Sequence, residues 1–186
     1  MPTGVDPAAR RILLVGANPC VTLFERGAPT TFVSLWRVDW SPCGAGTAAI
    51  LWVDGVVRVF GANRELGAWV ERTIVRWTPE ALALDWSAPS FVETEVELAI
   101  DLRVGLSART PGLEVTLHTA LDLRPFETDN FVLNSQPHSL RLVLAPMQNA
   151  VVRVEGRTRN GRVDVTGQPT RPTSSAFVAE AEVWRV

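Results

Sequence analysis

Lysine and tyrosine are absent from these 186 residues, and cysteine, histidine and methionine occur twice each. Without lysine, all 18 basic side chains are arginine. They are scattered along the chain, which reads as a coding bias and not as a stripe for phosphates. No charge sign dominates either: 18 basic against 20 acidic side chains leave a formal net charge of −2, so no overall field holds a nucleic-acid backbone. Cys20 and Cys43 are too few for a disulfide framework or a cysteine zinc site, and nothing in the sequence demands a bridge between them. Two histidines cannot build a metal site alone. Long apolar runs are missing: near the N-terminus only Ile12 to Val15 is continuous, too short for a signal-peptide core or a membrane span. No P-loop, G-x-S-x-G or H-E-x-x-H occurs, and "ILLVGANP" lacks the glycine spacing of a dinucleotide-binding turn. These absences set the expectations: a cytoplasmic, reduced protein with no cofactor, no metal, no nucleic-acid partner and no membrane partner. A homodimer is left open.

Hydrophobic residues make up 46% and charged residues 20%, enough for one domain over 1–186 with a sizeable core. The dominant period is two. In "VETEVELAIDLRV", Val92, Thr94, Val96, Leu98, Ile100, Leu102 and Val104 fall on one face, opposite Glu93, Glu95, Glu97, Asp101 and Arg103. This predicts one long half-buried strand, paired across the turn residues "SARTPG" with "LEVTLHTALDL". Asp54-Gly55 and Asn160-Gly161 each mark a tight hairpin. Further strands are expected near 20–25, 31–40, 130–134, 139–145 and 176–185, with 167–176 as a loop. One stretch has a helical period: Leu66, Trp69, Val70, Thr73, Ile74 and Trp77 predict an amphipathic helix over about 64–77, capped by Asn63 and stopped by Pro79.

About eight to ten short strands with one helix predict a mainly β fold: a single antiparallel β-barrel, with a two-sheet sandwich as the alternative. The shape is generically that of calycin barrels. The likeness is one of shape alone, because the Gly-x-Trp opening of lipocalins has no match near the N-terminus.

Seven tryptophans are the most distinctive feature of the composition. On "TFVSLWRVDW", Trp36 and Trp40 share a face, and Trp52 follows on the next strand. On the last strand Phe177, Ala179, Ala181 and Val183 share a face, where two alanines leave room beside large neighbours. The leading expectation is therefore a small apolar or aromatic molecule bound inside the barrel, with Trp36, Trp40, Trp52, Phe177, Ala179 and Ala181 as its lining. A cofactor-independent cyclase or isomerase, working by confinement, is the second reading. An interaction or structural domain with a filled core is the third.

Three residues are candidates for chemistry. Cys43 stands in Ser41-Pro42-Cys43-Gly44, which fits a type I turn better than an activated nucleophile. His118 could share a strand face with the carboxylates of Glu93, Glu95, Glu97 and Asp101, or sit on a solvated charged surface. Glu127, two residues from Asp129, could be half of an acid–base pair or part of a loop. His138 is expected in a surface loop beside Pro137.

Overall fold

The computed structural model describes residues 11–185. Residues 1–10, which open the expected 1–186 domain and the N-terminal stretch read for a leader, lie outside the described residues.

The fold is mainly antiparallel β. β1 (Arg11–Ala17), β2 (Cys20–Glu25), β3 (Ala28–Trp40), β4 (Gly46–Val53) and β5 (Val56–Gly61) form the first half of the chain's sheet. The helical segment follows, with α1 (Arg64–Thr73), a 3₁₀ turn at Val75–Trp77 and the single-turn α2 (Pro79–Leu82). Next come β6 (Ser90–Glu93), β7 (Glu97–Asp101), β8 (Gly105–Thr110), β9 (Leu113–Ala120), β10 (Arg124–Leu133) and the 19-residue β11 (Gln136–Val154). The chain ends with β12 (Arg157–Thr158), the separate ribbon β13 (Val165–Gln168) and β14 (Arg171–Ser174), and β15 (Ala176–Arg185). Thirteen strands make one sheet, along the path β6-β5-β4-β3-β1-β15-β11-β9-β8-β7.

β11 turns this sheet over on itself. Its first part, His138 to Pro146, pairs with β15, and its second part, Met147 to Val154, pairs with β9. The two halves then face each other. Val33, Leu35, Leu51 and Phe60 pack with Leu106, Val115, Leu117 and Met147 in one apolar cluster. The opposite face of the first half carries the other cluster, in which Phe32, Trp36, Ile50 and Trp52 pack against Leu66, Trp69 and Val70 of the helix. Both faces of β3 and β4 are therefore buried, which is why "TAAILW" reads as a continuous apolar run and not as an alternation. β6 and β7 end the pairing path and are consecutive in sequence, joined by 94–96; among the described residues no ladder pairs them with each other.

Several expectations are corrected in detail. The long hairpin over 92–121 is a meander of β7, β8 and β9 with β6 split off. Asp101 Oδ1 accepts the N–H groups of Arg103 and Val104, turning the chain where a continuous strand was expected, and "SART" becomes part of β8. The Asp54-Gly55 hairpin forms, with φ of 50° and 81°. At the second site the tight turn is Glu155-Gly156, at 49° and 74°, and Asn160-Gly161 follows β12 instead. The stretch over 167–176 includes the ribbon strand β14. Pro79 does not only end a helix. It occupies the first turn of α2, where its missing N–H costs nothing, and Thr78 caps that turn.

Candidate ligand cleft

The helical segment is fixed to the sheet by its stripe and its ends. Asn63 accepts the Leu66 N–H at 3.1 Å, capping α1. At the other end Glu71, 2% exposed, holds the 3₁₀ turn: its Oε1 accepts from Arg76 Nε and Nη2 at 2.9 and 2.6 Å, and from Trp86 Nε1 at 2.8 Å. A buried carboxylate is tolerated only with such partners. Trp77 Nε1 donates to the Arg72 carbonyl at 2.9 Å, which sets the indole beside the last turn of α1.

Opposite this helix end stands the β10–β11 hairpin. Leu133 pairs with Gln136 across a two-residue turn, with Asn134 at φ 48° and Ser135 at 61°. Positive φ at both positions gives the turn the twist of the strands it joins. Between helix end and hairpin lies an open cleft of about 470 Å³. Leu13 and Leu133 supply apolar surface, Trp77 an aromatic wall, and Arg72 and Arg185 the charged groups, with the imidazole of His138 beside them. The hairpin's Asn134 and Gln136 add polar groups to the same lining. No carboxylate lines it among the described residues. His138 lies in β11, not in a loop, and is buried opposite Phe131 and Arg185. Its Nδ1 is 3.0 Å from the Gln136 carbonyl. A carbonyl only accepts, so Nδ1 carries the proton of this bond and donates it. Ser139, next in sequence, points to the other face and donates to Asp129 at 2.8 Å, so no serine–histidine pair forms.

The tryptophans predicted to line an interior lie elsewhere. Trp36 and Trp52 do share a face, but that face is the one covered by α1. Trp36 Nε1 donates to Ser34 Oγ and Trp52 Nε1 to the Asp85 carbonyl, both at 2.9 Å. Trp40 leaves their face through a bulge: Gly16 pairs with Val38 and Val15 with Trp40, so Asp39 is an extra residue and Trp40, 47% exposed, turns outward. Phe177 and Ala181 stand on the helix-side face, half-buried and buried, and Ala179 is buried opposite Leu144. The cluster between the two halves of the sheet is apolar, mostly aliphatic with Phe60 among it, and contains no tryptophan among the described residues.

The other candidates separate as well. Cys43 is half-buried in its turn, where Gly44 N–H bonds the Ser41 carbonyl at 3.1 Å and the Cys43 N–H bonds Ser41 Oγ at 3.2 Å. Cys20 is free and wholly buried, and burial pushes its thiol pKa well up, with Glu80 adding to the rise. His118 is exposed and pairs with Gly105 of β8 and Asn149 of β11. β8 stands between it and the carboxylates of β7, because the meander inserts a strand that a simple hairpin lacks. Among the described residues no group of three or more His, Cys, Asp or Glu could hold a metal ion. Glu127 is exposed in β10, in an ion pair with Arg141 at 2.7 Å, and not in a loop beside Asp129. Among the described residues no helix is long and apolar enough to cross a membrane.

Arg72, Trp77 and Arg185 escaped the sequence reading. Trp77 was visible only as the last member of the helical stripe. Arg72 and Arg185 carry no local signal, since they come to line one cleft only when the last strand passes the helix end. Comparison with known proteins finds no matching family model, no significantly similar curated protein and no significantly similar solved structure. The class defined by fold and site is a mainly antiparallel β protein with a cleft beside the end of its helix.

Proposed function

We propose that the protein binds a small molecule with an apolar or aromatic body, and that the binding place is the cleft between the end of α1 and the β10–β11 hairpin. The folded-over sheet, read as a flattened barrel, then serves as the scaffold and not as the container. One observation carries this reading: apolar surface, an indole wall and uncommitted polar groups converge on a single opening of about 470 Å³. That combination is how small-molecule sites are usually lined. The composition of the interior supports the placement, because its buried cluster is apolar and mostly aliphatic and brings no indole to a ligand among the described residues.

The test is titration with a panel of indole, naphthalene and phenyl compounds, read by tryptophan fluorescence in the protein and in Trp77→Phe and Trp36→Phe variants. Ligand quenching lost in Trp77→Phe and kept in Trp36→Phe supports the cleft. Quenching lost only in Trp36→Phe would move the ligand under the helix. The buried apolar cluster equally favours an interaction domain without a small ligand, and the absence of any response across the panel would select that reading.

A further inference from the structure

Arg11 and Arg185 are direct cross-strand partners at the ends of β1 and β15. Partners in an antiparallel pair place their side chains on one face, roughly 5 Å apart at Cβ, and like charges so placed repel. Arg185 lines the cleft, so Arg11 shares the face on which the cleft opens. Across from Arg185, Arg72 lies in the last turn of α1 and lines the same cleft. Neither Arg11, Arg72 nor Arg185 has an ion-pair partner among the described residues. Elsewhere Arg37, Arg58, Arg76, Arg124 and Arg141 each meet a carboxylate, while Arg26, Arg64, Arg103, Arg157, Arg162 and Arg171 also lack one among the described residues, so the distinguishing feature of the cleft is the grouping of its arginines. The helix dipole accounts for a cation at the position of Arg72. It does not account for two arginines set against each other on neighbouring strands.

We infer that the cleft ligand is an anion, its carboxylate or phosphate held by the guanidinium groups of Arg185 and Arg72 with Arg11 at the rim, and its aromatic body against Trp77. This rests on the cleft reading above and adds the chemical class of the ligand. A guanidinium presents a planar fork of N–H donors that matches a carboxylate or phosphate, and a bound anion converts the Arg11–Arg185 repulsion into attraction. Leu13 and Leu133 provide the apolar surface beside which these charges are partly desolvated, where an ion pair is stronger than in water. Asn134 and Gln136, on the hairpin side, can bond the remaining anion oxygens through their side-chain amides.

The experiment compares matched probes on the intact chain by calorimetry: indole-3-acetate against indole-3-acetamide, and phenyl phosphate against phenol. The acid is expected to bind about tenfold or more tightly than its neutral counterpart. That advantage should shrink as salt is raised, and should disappear in Arg185→Gln and Arg72→Gln, where the acid falls to the affinity of its neutral counterpart measured on the same variant. Stronger selection in the acetate pair identifies a carboxylate site, and stronger selection in the phosphate pair a phosphate site. Equal binding of acid and neutral probe overturns the anion inference and leaves the cleft occupied. If neither member of either pair binds, the cleft reading fails and this inference fails with it. Both substitutions are at solvent-accessible side chains, and a circular-dichroism melt of each variant confirms that a lost preference is not a lost fold.

Discussion

The Glu71 carboxylate receives the indole N–H of Trp86 at 2.8 Å while the Arg76 guanidinium closes on the same oxygen. One acceptor thus ties together the end of α1, the 3₁₀ turn and the 84–87 segment, and through them positions Trp77 at the cleft.

Replacing Glu71 with alanine should lower stability by about 2–3 kcal/mol in denaturant unfolding. Breaking a fully buried pair costs about 3–5 kcal/mol, and Arg76, 33% exposed, recovers part of that from water. Glu71→Gln keeps one acceptor oxygen and should lose less. Loss of cleft binding in Glu71→Ala, with the melt still cooperative, would confirm that the network positions Trp77.

Trp36 is expected to behave as core. Trp36→Ala leaves a cavity under α1 and removes one of two donors to Ser34 Oγ, the Asn18 amide remaining at 3.0 Å, with an expected loss of about 3–5 kcal/mol. Trp40→Ala, on the outward side of the bulge, should change stability by less than about 1 kcal/mol. Chemical denaturation of the two variants side by side checks the contrast, and equal losses would contradict the bulge.

Gly16 is required by close approach. A Cβ at this position would stand 2.0 Å from the Arg37 carbonyl oxygen, so β1 and β3 must separate to admit alanine. Gly16→Ala should therefore destabilise by at least about 2 kcal/mol and release exchange protection of the amides shared by these strands.

The two thiols should differ under a thiol reagent. Cys20, wholly buried, is expected to label only on unfolding, and Cys43, half-buried in its turn, to label in the folded protein. The raised thiol of Cys20 also gives a pH dependence of defined sign. Below the ordinary thiol range, about 8.5, both states keep the proton and the group is neutral in its effect. As pH climbs above that range the unfolded chain ionises first, so stability falls until the folded thiol also ionises. Denaturant midpoints measured from neutral to alkaline pH should show this decline, and Cys20→Ala should remove that part of it.

Much of the fold was legible along the chain, because alternation and turn chemistry act locally. Cys20–Glu25 and Ala176–Arg185 form strands where the alternation put them, and Asp54-Gly55 turns the chain as its backbone preference requires. Local signals failed where two of them competed. Asn160-Gly161 is the better turn sequence, yet Glu155-Gly156 makes the hairpin, since the register of β11 with β9 places the bend there. The alternation of 92–104 runs straight through Asp101, whose side chain bends the backbone, and Val104 ends 70% exposed.

The candidate site was hidden for a different reason. Periodicity put Trp36 and Trp52 on one face, but a sheet has two faces that can be buried, and no local pattern says which of them meets a helix and which meets the other half of the sheet. Alternation also cannot register a bulge, so Trp40 was counted on the wrong side.

The order of residues determined by itself that this chain is built of strands with one capped amphipathic helix, because strand alternation, helix period and capping are decided by neighbours a few positions apart. The tertiary structure alone decided that β11 folds the sheet over an apolar cluster, and that Arg72, Trp77 and Arg185 line one cleft. Such groupings join residues far outside any local window, and the cleft exists only once the last strand has docked beside the first.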